Sequence, residues 1–368
     1  MAKSYSLICI SLMILTLSSC QTIEYLSIDY IQPAEITFPS QLRKVAVVDN
    51  TSAVPDNNLR PQTEEKENSN NAIRRATAYS YGNSKLTVEA LAEEIADQNY
   101  FDVVVICDSA LRTRDILPRE NTLSQEEVNR LTSSLGVDLL FSLENLQIQA
   151  NKSIYYQSEY GVFRGVVDVK THPTIRVYLP QRSTPMVTII PQDSIFWEQY
   201  GRSEQDVMNR LISDTEIVKE ASTFAGISPV KHLIPYWRKG DRFLYTGGSV
   251  NMRDAAIYVR EESWDNAYEL WKKAYDESKS NKQKMRAALN IALYYEMKDN
   301  LSEAETWATK AQEYARKVDK LDKTEESKIN YNNIPNFILI TKYLVELTER
   351  NSQIQKLNMQ MQRFNNDF

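Results

Sequence analysis

Short runs of apolar residues in the first half of the chain predict alternating strands and helices. Residues 22–31 alternate apolar and polar side chains as a strand does. The run LRKVAVVDN at 42–50 is continuous, which is typical of a central strand covered on both faces. Helical spacing follows at 86–99, and the apolar run FDVVVICDS predicts the next buried strand.

A second unit of the same kind follows. Ser124 and Glu127 have the spacing of a capping box, the helix they open should end at Gly136, and the run VDLLFSLENLQIQ predicts another strand. Strand, helix, strand, helix and strand in this order indicate an α/β layer with a substantially parallel sheet.

The pattern then changes to alternating strands. Residues 152–200 are typical of an antiparallel meander, and a helix from Asp214 to Gly226 is predicted behind the capping-box pair Ser213 and Glu216. The polar stretch at 51–83 has no sustained period, so we expect a long mobile loop there.

Beyond residue 251 the chain is predicted to be helical, because it contains no glycine and only one proline, Pro335. Two segments repeat with a constant offset of 37 residues. The matching pairs are Ala255 and Ala292, Tyr258 and Tyr295, Trp264 and Leu301, Ala267 and Ala304, Trp271 and Ala308, and Ala274 and Ala311.

This pattern resembles tetratricopeptide (TPR) repeats, in which small residues lie where paired helices touch. The resemblance implies a concave surface formed mainly by the first helix of each pair, and a further helix after Pro335 that covers the open end of the stack. The candidate partner-binding residues are Arg253, Tyr258, Asn290 and Tyr294. A plain helical bundle is the alternative.

The start of the chain carries Lys3, an apolar run from Leu7 to Leu17, and then Ser18-Ser19-Cys20. This arrangement resembles a bacterial lipobox, which implies lipidation of Cys20 and removal of residues 1–19. An ordinary signal peptide or a buried apolar helix are the alternatives. The predicted domains are a signal peptide at 1–19, a lipidated tether and first strand at 20–41, an α/β domain at 42–248 and a helical domain at 251–368.

Charge narrows the possible partners. The formal net charge is −6, and removal of Lys3 with residues 1–19 makes it −7. Because of this negative charge, we do not expect the protein to bind nucleic acid. At a membrane, a lipid anchor rather than electrostatic attraction would hold it. Cys107 would then be the one free thiol, and we expect it to be a small buried apolar residue.

The first domain resembles a family of envelope lipoprotein domains. The residues that carry the resemblance are Val45 to Asn50 and Leu135-Gly136-Val137-Asp138. The family includes the penicillin-binding-protein activators, the curli-secretion lipoprotein and the amino-terminal domain of TolB. With the lipobox, Trp197, IPYW and the helical repeats, the whole chain looks like uncharacterised TPR-containing lipoproteins of Gram-negative envelopes. The resemblance implies a fold and a binding or assembly role, with no catalytic residues.

No motif for catalysis, metal or cofactor binding is present in the sequence. His172 and His232 stand apart from each other, and none of the nine glycines lies in a phosphate-binding pattern. We therefore predict a non-enzymatic protein without a cofactor or metal. A polysaccharide-acting enzyme that uses Asp168, Asp193 and Glu198 remains an alternative.

The segment between the two domains combines aromatic and basic residues: Tyr236, Trp237, Arg238 and Arg242. We expect these residues to pack the domain junction, with the aromatic rings inward and the cations outward. A clamp for an anion or a sugar is the alternative.

Together these observations favour an α+β protein, in which an α/β domain with a mixed sheet precedes an all-α, TPR-like repeat domain. Its expected role is a membrane-anchored binding or assembly lipoprotein, with the α/β domain near the membrane and an envelope protein or peptide bound by the repeats. A self-assembling secretion component is a further alternative. The residue after Cys20 is Gln21 and not aspartate, which fits sorting to the outer membrane, with the body facing the periplasm or the exterior.

Overall fold

The computed structural model describes residues 23–53, 59–67, 73–107, 109–114, 122–321 and 335–365. These residues form two compact units. The α/β unit combines Pro33–Tyr236 with the end of the chain from Lys356. The helical unit combines Trp237–Gln355 with the strand that precedes Pro33. The expected α+β class is confirmed.

The strands are β1 (Ile23–Gln32), β2 (Lys44–Asp49), β3 (Arg60–Glu67), β4 (Ile73–Ser80), β5 (Val103–Ile106), β6 (Leu139–Gln157), β7 (Val162–Tyr178), β8 (Val187–Ile189), β9 (Asp193–Gly201) and β10 (Tyr236–Tyr245). The helices are α1 (Ser84–Asp97), α2 (Gln125–Leu135), α3 (Glu204–Arg210), α4 (Asp214–Ile227), α5 (Val230–Leu233), α6 (Val250–Arg260), α7 (Trp264–Glu277), α8 (Asn281–Met297), α9 (Leu301–Val318) and α10 (Pro335–Asn365). No helix among the described residues is both long and apolar enough to cross a bilayer.

One mixed sheet of eight strands forms the α/β unit. Strand β2 lies between β5 and β6 and is parallel to both, and its Val and Ala side chains are fully buried, as the continuous apolar run predicts. Strand β5 is an edge strand, so the prediction of a second fully buried strand was wrong: Val103 and Ile106 are each about two-fifths exposed.

The antiparallel half of the sheet is built on a long hairpin of β6 and β7. Strand β7 also pairs with β8 and β9. It runs without interruption from Val162 to Tyr178, through His172-Pro173, as one long strand of the predicted meander. Pro173 lies opposite Leu146 of β6, close to a shift in the pairing register between Leu143 and Asn145. Proline has no backbone N–H to donate, and irregularities of this kind tolerate the missing hydrogen bond.

The predicted mobile loop at 51–83 was also wrong in part. Residues 60–67 and 73–80 form β3 and β4, which pair with each other, and β4 pairs with β6. The polar side chains of this stretch have no periodic pattern that would predict a strand. Its strands are formed through backbone hydrogen bonds, between β3 and β4 and between β4 and β6.

Helices cover the sheet where apolar side chains emerge. Helix α4 packs its Ile217, Val218, Ala221 and Ala225 against Val167 and Val169 of β7. Helix α1 packs beside it, over β2 and β5. Both predicted capping boxes, at Ser124 and Ser213, are present, and Gly136 ends α2 with φ +66°.

The helical unit contains a two-stranded sheet of β1 and β10. The last residues of β10, Phe243 to Tyr245, are buried in the core formed by α6 to α10. The predicted limit of the α/β domain at residue 248 was therefore wrong. Strand β1 also belongs to the helical unit, so the tether predicted at 20–41 leads first into this unit and not into the α/β unit.

The repeat predicted at an offset of 37 is present in the backbone. The backbone N–H of Ser263 donates to the carbonyl of Tyr258 at 2.8 Å, and the backbone N–H of Asn300 donates to the carbonyl of Tyr295 at 2.9 Å. Glu262 and Asp299, one position earlier, share a left-handed conformation with φ of 57° and 54°. The small residues of both pairs are buried: Ala255, Ala267, Ala274, Ala292, Ala304, Ala308 and Ala311.

Helix α10 extends the stack, as predicted. Gln312 of α9 donates to the Thr341 hydroxyl at 2.9 Å, and Asp319 accepts the backbone N–H of Phe337 at 2.8 Å in the first turn of α10. The end of α10 belongs to the α/β unit, so the predicted helical domain at 251–368 was too long. There Gln360 bonds the backbone of Ala34, and the guanidinium of Arg363 lies 3.7 Å from the centroid of the Tyr100 ring.

Candidate functional site

An aromatic cluster lies on the surface of the repeat helices and includes one predicted partner-binding residue, Tyr294. The rings of Tyr294 on α8 and Tyr268 on α7 are stacked, with centroids 4.3 Å apart. The hydroxyl groups of Tyr268 and Tyr295 are 3.1 Å apart. We call these three residues the tyrosine cluster. All three are only partly buried, so their rings present an amphipathic surface to solvent.

Two charged residues hold the tyrosine cluster in place. The hydroxyl of Tyr294 donates to Asp265 at 2.8 Å, and Lys298 forms an ion pair with the same carboxylate at 2.9 Å. Lys298 also lies 5.5 Å from the Tyr294 ring centroid. Burial and the hydrogen bond to Asp265 raise the pKa of Tyr294 to about 12. The hydrogen bond with Tyr295 and burial likewise raise the pKa of Tyr268, so these rings are neutral at physiological pH.

The other predicted partner-binding residues do not join this cluster. Arg253 and Tyr258 are exposed on α6, and no hydrogen bond or ring contact found among the described residues links them to Tyr294. Asn290 is fully buried and bonded to the backbone of Tyr245, so its assignment to a binding groove was wrong. The helix that carries Asn290 is buried around most of its circumference, which the repeat alignment did not indicate.

The predicted junction residues are arranged in the opposite sense to the expected one. Trp237 points outward and is 65% exposed, whereas Arg242 is only 2% exposed. Arg238 is exposed and donates to Gln32 at 3.0 Å, and Tyr236 is partly buried. The expectation of inward rings and outward cations was therefore wrong for Trp237 and Arg242.

Arg242 forms a buried charge network within the helical unit. Its guanidinium donates to both carboxylate oxygens of Glu296, at 2.8 to 3.1 Å, and to Glu346 at 2.8 Å. Glu296 also accepts hydrogen bonds from Tyr343 and Arg350. Burial by itself lowers the pKa of Arg242, but the bonds to Glu296 outweigh it, so its pKa is raised and its charge is fixed. This network joins β10, α8 and α10.

Among the described elements, no helix covers the face of the sheet that carries Thr77 of β4, Asn151 of β6, Asp168 of β7 and Phe196 of β9. Thr77, Asn151, Asp168 and Phe196 lie side by side across the four strands in register. Phe196 is 66% exposed, and a pocket of about 380 Å³ opens beside Asn151 and Asp168. The face thus combines polar side chains with exposed aromatic rings, Phe196 and Tyr200.

The three acids considered for glycan hydrolysis are not brought together on this face. Asp168 and Glu198 share it, and Arg164 holds Glu198 through two hydrogen bonds of 2.7 and 3.0 Å. Asp193 pairs with Thr171, on the opposite face, where it forms an ion pair with Lys231 at 2.7 Å. Burial opposes ionisation of Asp193, but the bonds from Lys231 and Ser194 keep its pKa below the usual value.

A buried polar network, absent from the sequence predictions, lies at the carboxyl end of the parallel strand β2. Glu144 is fully buried and accepts hydrogen bonds from Asn50 at 2.6 Å and from the Tyr178 hydroxyl at 2.9 Å. Glu144 occupies the register shift between β6 and β7, a bulge that changes the direction of its side chain. Burial raises the pKa of Glu144. The signal that could have found it is one acidic residue within the mostly apolar run LLFSLENL at 139–146.

The network extends to the loop before α2. Arg112 donates to Asn50 at 2.9 Å and pairs with Glu127 at 2.8 Å, and the backbone of Leu123 donates to the Tyr178 hydroxyl at 3.1 Å. Each polar group is therefore already engaged by a neighbour. The arrangement holds Arg112, Leu123 and the start of α2 against the sheet, and its geometry is that of a structural network.

The remaining candidates stand apart. His172 is partly buried within β7, and His232 bonds Glu35 at 2.6 Å. The Cys107 thiol is partly buried and lies 3.6 Å from the carbonyl of Ser109. Within the described ranges, no group of three or more metal-ligating side chains is found. Cys20 lies outside the described residues.

These features define an α+β protein with a mixed-sheet unit and a unit of stacked helix pairs. The chain belongs to the family described as domain of unknown function DUF8603, whose model matches residues 42–245. Residues 253–349 match a second model, described as domain of unknown function DUF6340. The first match includes β10, which packs with the helical unit and not with the sheet. No curated protein and no solved structure matches the chain.

Proposed function

We propose that this protein is a lipid-anchored, non-enzymatic binding or assembly protein of the bacterial cell envelope, which docks an envelope protein or peptide on its helical unit. The observation that carries the proposal is the tyrosine cluster of Tyr268, Tyr294 and Tyr295. Tyrosine is enriched at protein interfaces because it offers a large apolar ring at a low entropy cost. These rings are held in place by Asp265 and Lys298 before any partner binds.

The buried polar groups of both units support a binding role rather than catalysis. The acids Glu144 and Glu296 are each bonded to several neighbours, and the acids at Asp168, Asp193 and Glu198 lie on two faces of the sheet. Anchoring follows from the lipobox resemblance at Cys20, with the outer membrane as the expected location. The helical unit follows the anchor directly, since β1 starts at Ile23.

The anchor is tested by the intact mass of the protein purified from membranes. Cleavage before Cys20 with added diacylglycerol and acyl chains is the expected result. The full-length protein with Cys20→Ser should move to the soluble fraction. An unprocessed chain, or a membrane-bound Cys20→Ser protein, contradicts anchoring.

The docking surface is tested by cross-linking and pull-down from membranes with point variants, because a truncation at residue 251 would remove the end of α10 from the α/β unit. The test pair is Tyr268→Ala with Tyr294→Ala. The control pair is Tyr160→Ala with Phe196→Ala, which removes two aromatic rings exposed by 74% and 66% on the α/β unit. A partner lost with the test pair and retained with the control pair is the expected result. The same partners from both variants, or from neither, contradict the proposal.

A further inference from the structure

A pocket of about 260 Å³ opens on the helical unit beside β1 and β10. Its walls come from Tyr25 and Tyr30 of β1, from β10, and from the first turns of α10. Its volume is just below the range of pockets for drug-sized molecules, so it accommodates a small headgroup and not a whole lipid.

The pocket has an excess of positive charge. Four basic residues line it, Arg238, Lys239, Arg242 and Lys342, against two acidic residues, Asp241 and Glu346. Arg242 is already neutralised by Glu296 and Glu346. The charges that remain at the rim are therefore three cations and one carboxylate.

The two lysines are available to a ligand. Lys239 and Lys342 are exposed, and neither forms a hydrogen bond or ion pair within the described part of the chain. The third cation, Arg238, donates a hydrogen bond to the side-chain amide of Gln32. Because that amide is neutral, this bond does not neutralise the positive charge of Arg238. Cations that line one pocket and keep free N–H donors are suited to a phosphate group.

The location of the pocket indicates where such a phosphate would come from. Only three Cα–Cα steps separate Cys20 from Ile23, so a lipid on Cys20 would keep the start of β1 within about 11 Å of the anchored residue. The headgroup layer of a leaflet is about 5–8 Å thick. Tyr25, which lines the pocket two residues later and is 72% exposed, is of the residue type enriched at this depth.

We propose that this pocket binds the phosphate of an anionic phospholipid headgroup and so orients the anchored protein on the bilayer. The site rests on the proposed anchoring at Cys20, and it gives the net negative chain a local positive contact. Repulsion from the rest of the protein is screened over about 8 Å at physiological ionic strength. This length is shorter than the helix α8 alone, whose 17 residues span about 25 Å.

The test is a calorimetric titration of the full mature chain with Cys20→Ser. The probes are monomeric dihexanoylphosphatidylglycerol, dihexanoylphosphatidylcholine and inorganic phosphate. We expect one phosphatidylglycerol per chain and at least tenfold weaker binding of the zwitterionic lipid. The Lys239→Gln, Lys342→Gln variant should bind phosphatidylglycerol at least tenfold more weakly. The control variant Lys273→Gln, Lys282→Gln removes the same charge from two exposed lysines outside the pocket and should stay within twofold.

Phosphate that binds as tightly as phosphatidylglycerol would overturn the headgroup assignment in favour of free phosphate. No saturable binding, or equal weakening by both lysine pairs, would overturn the site itself. Because the Cys20→Ser chain carries no lipid, these outcomes are independent of the mass measurement that tests the anchor. A failed pocket and a failed anchor are thereby distinguished.

Discussion

Asn290 of α8 forms a closed pair of hydrogen bonds with the backbone of Tyr245 at the end of β10. Its amide nitrogen Nδ2 donates to the Tyr245 carbonyl at 2.7 Å, and its Oδ1 accepts the Tyr245 N–H at 2.8 Å. The side chain thus bonds the backbone of Tyr245 as a neighbouring strand would, and it joins β10 to the repeat helices.

Replacement of Asn290 by alanine should lower the free energy of unfolding by about 2–4 kcal/mol, because two buried backbone groups lose their partners. Urea denaturation followed by circular dichroism measures the change. The control is Arg253→Ala, an exposed residue on α6, which should change stability by less than about 0.5 kcal/mol. Equal stability of both variants would show that the bonds to Tyr245 contribute little.

The Arg242 network should show strong coupling between its members. Arg242→Met leaves Glu296 buried with fewer partners and should cost about 3–5 kcal/mol. Glu296→Gln should also destabilise, and the double variant should cost clearly less than the sum of the two. A double-mutant cycle in urea measures this coupling, expected at about 1–3 kcal/mol. Strict additivity would indicate that Glu346 and Arg350 carry the network without this pair.

Glu144 should make stability depend on pH. Its pKa is raised by burial in the folded protein, so its contribution is fully present below the unfolded value of about 4.3 and is lost as pH rises through the folded value. Wild type should therefore gain stability relative to Glu144→Gln when the pH falls from 8 to 5. Urea midpoints of both proteins at the two pH values measure this gain.

Glu127 serves as the matched control for Glu144, since the shift has the opposite sign. Burial opposes its ionisation, but bonds to Arg112 and Ser124 lower its pKa below the usual value. Its contribution is present above the unfolded pKa of about 4.3 and is lost as pH falls through the still lower folded value. The stability difference between wild type and Glu127→Gln should therefore stay nearly constant from pH 8 to 5, and wild type should lose stability relative to this variant only below about pH 4. A Glu144 difference that does not change with pH, or that follows the sign of Glu127, would contradict the assignment.

Gly226 of α4 lies against the backbone of α1. A Cβ atom at this position would lie against the Thr87 carbonyl and 2.8 Å from the backbone nitrogen of Leu91. Gly226→Ala should therefore cost about 2–4 kcal/mol, since neither backbone can yield without separating the helices. Gly136→Ala is the comparison, because open space surrounds it and only its left-handed backbone matters, at about 1 kcal/mol. Thermal unfolding ranks the two, and an equal loss would contradict the steric argument.

Local signals account for the part of the fold that the sequence predicts. The capping boxes at Ser124 and Ser213, the end of α2 at Gly136 and the 37-residue repeat each depend on neighbours within one or two turns. The strands at 60–80 could not be found in this way, because β3 pairs, among the described strands, only with β4, and β4 is joined to the sheet through β6, about seventy residues later.

The candidate sites depend even more on distant partners. Asn290 lies at the expected point of the repeat, yet its partner Tyr245 determines that it is buried. Glu144 lies at a bulge in the pairing of β6 with β7, and no local pattern in the sequence specifies where that bulge occurs. Tyr294 was predicted, whereas its partner Tyr268 was not, since the repeat alignment places Glu305 at the equivalent position of α9.

Each of the two units combines segments that are far apart in the sequence and are therefore synthesised at different times. The helical unit needs β1 from near the start of the chain, although its remaining residues begin only at Trp237. The α/β unit, in turn, is completed by Gln360 and Arg363, close to the carboxyl terminus. The helical unit therefore cannot complete its set of contacts before the residues from Trp237 to Gln355 have been made, and the α/β unit cannot do so before Arg363 has been made.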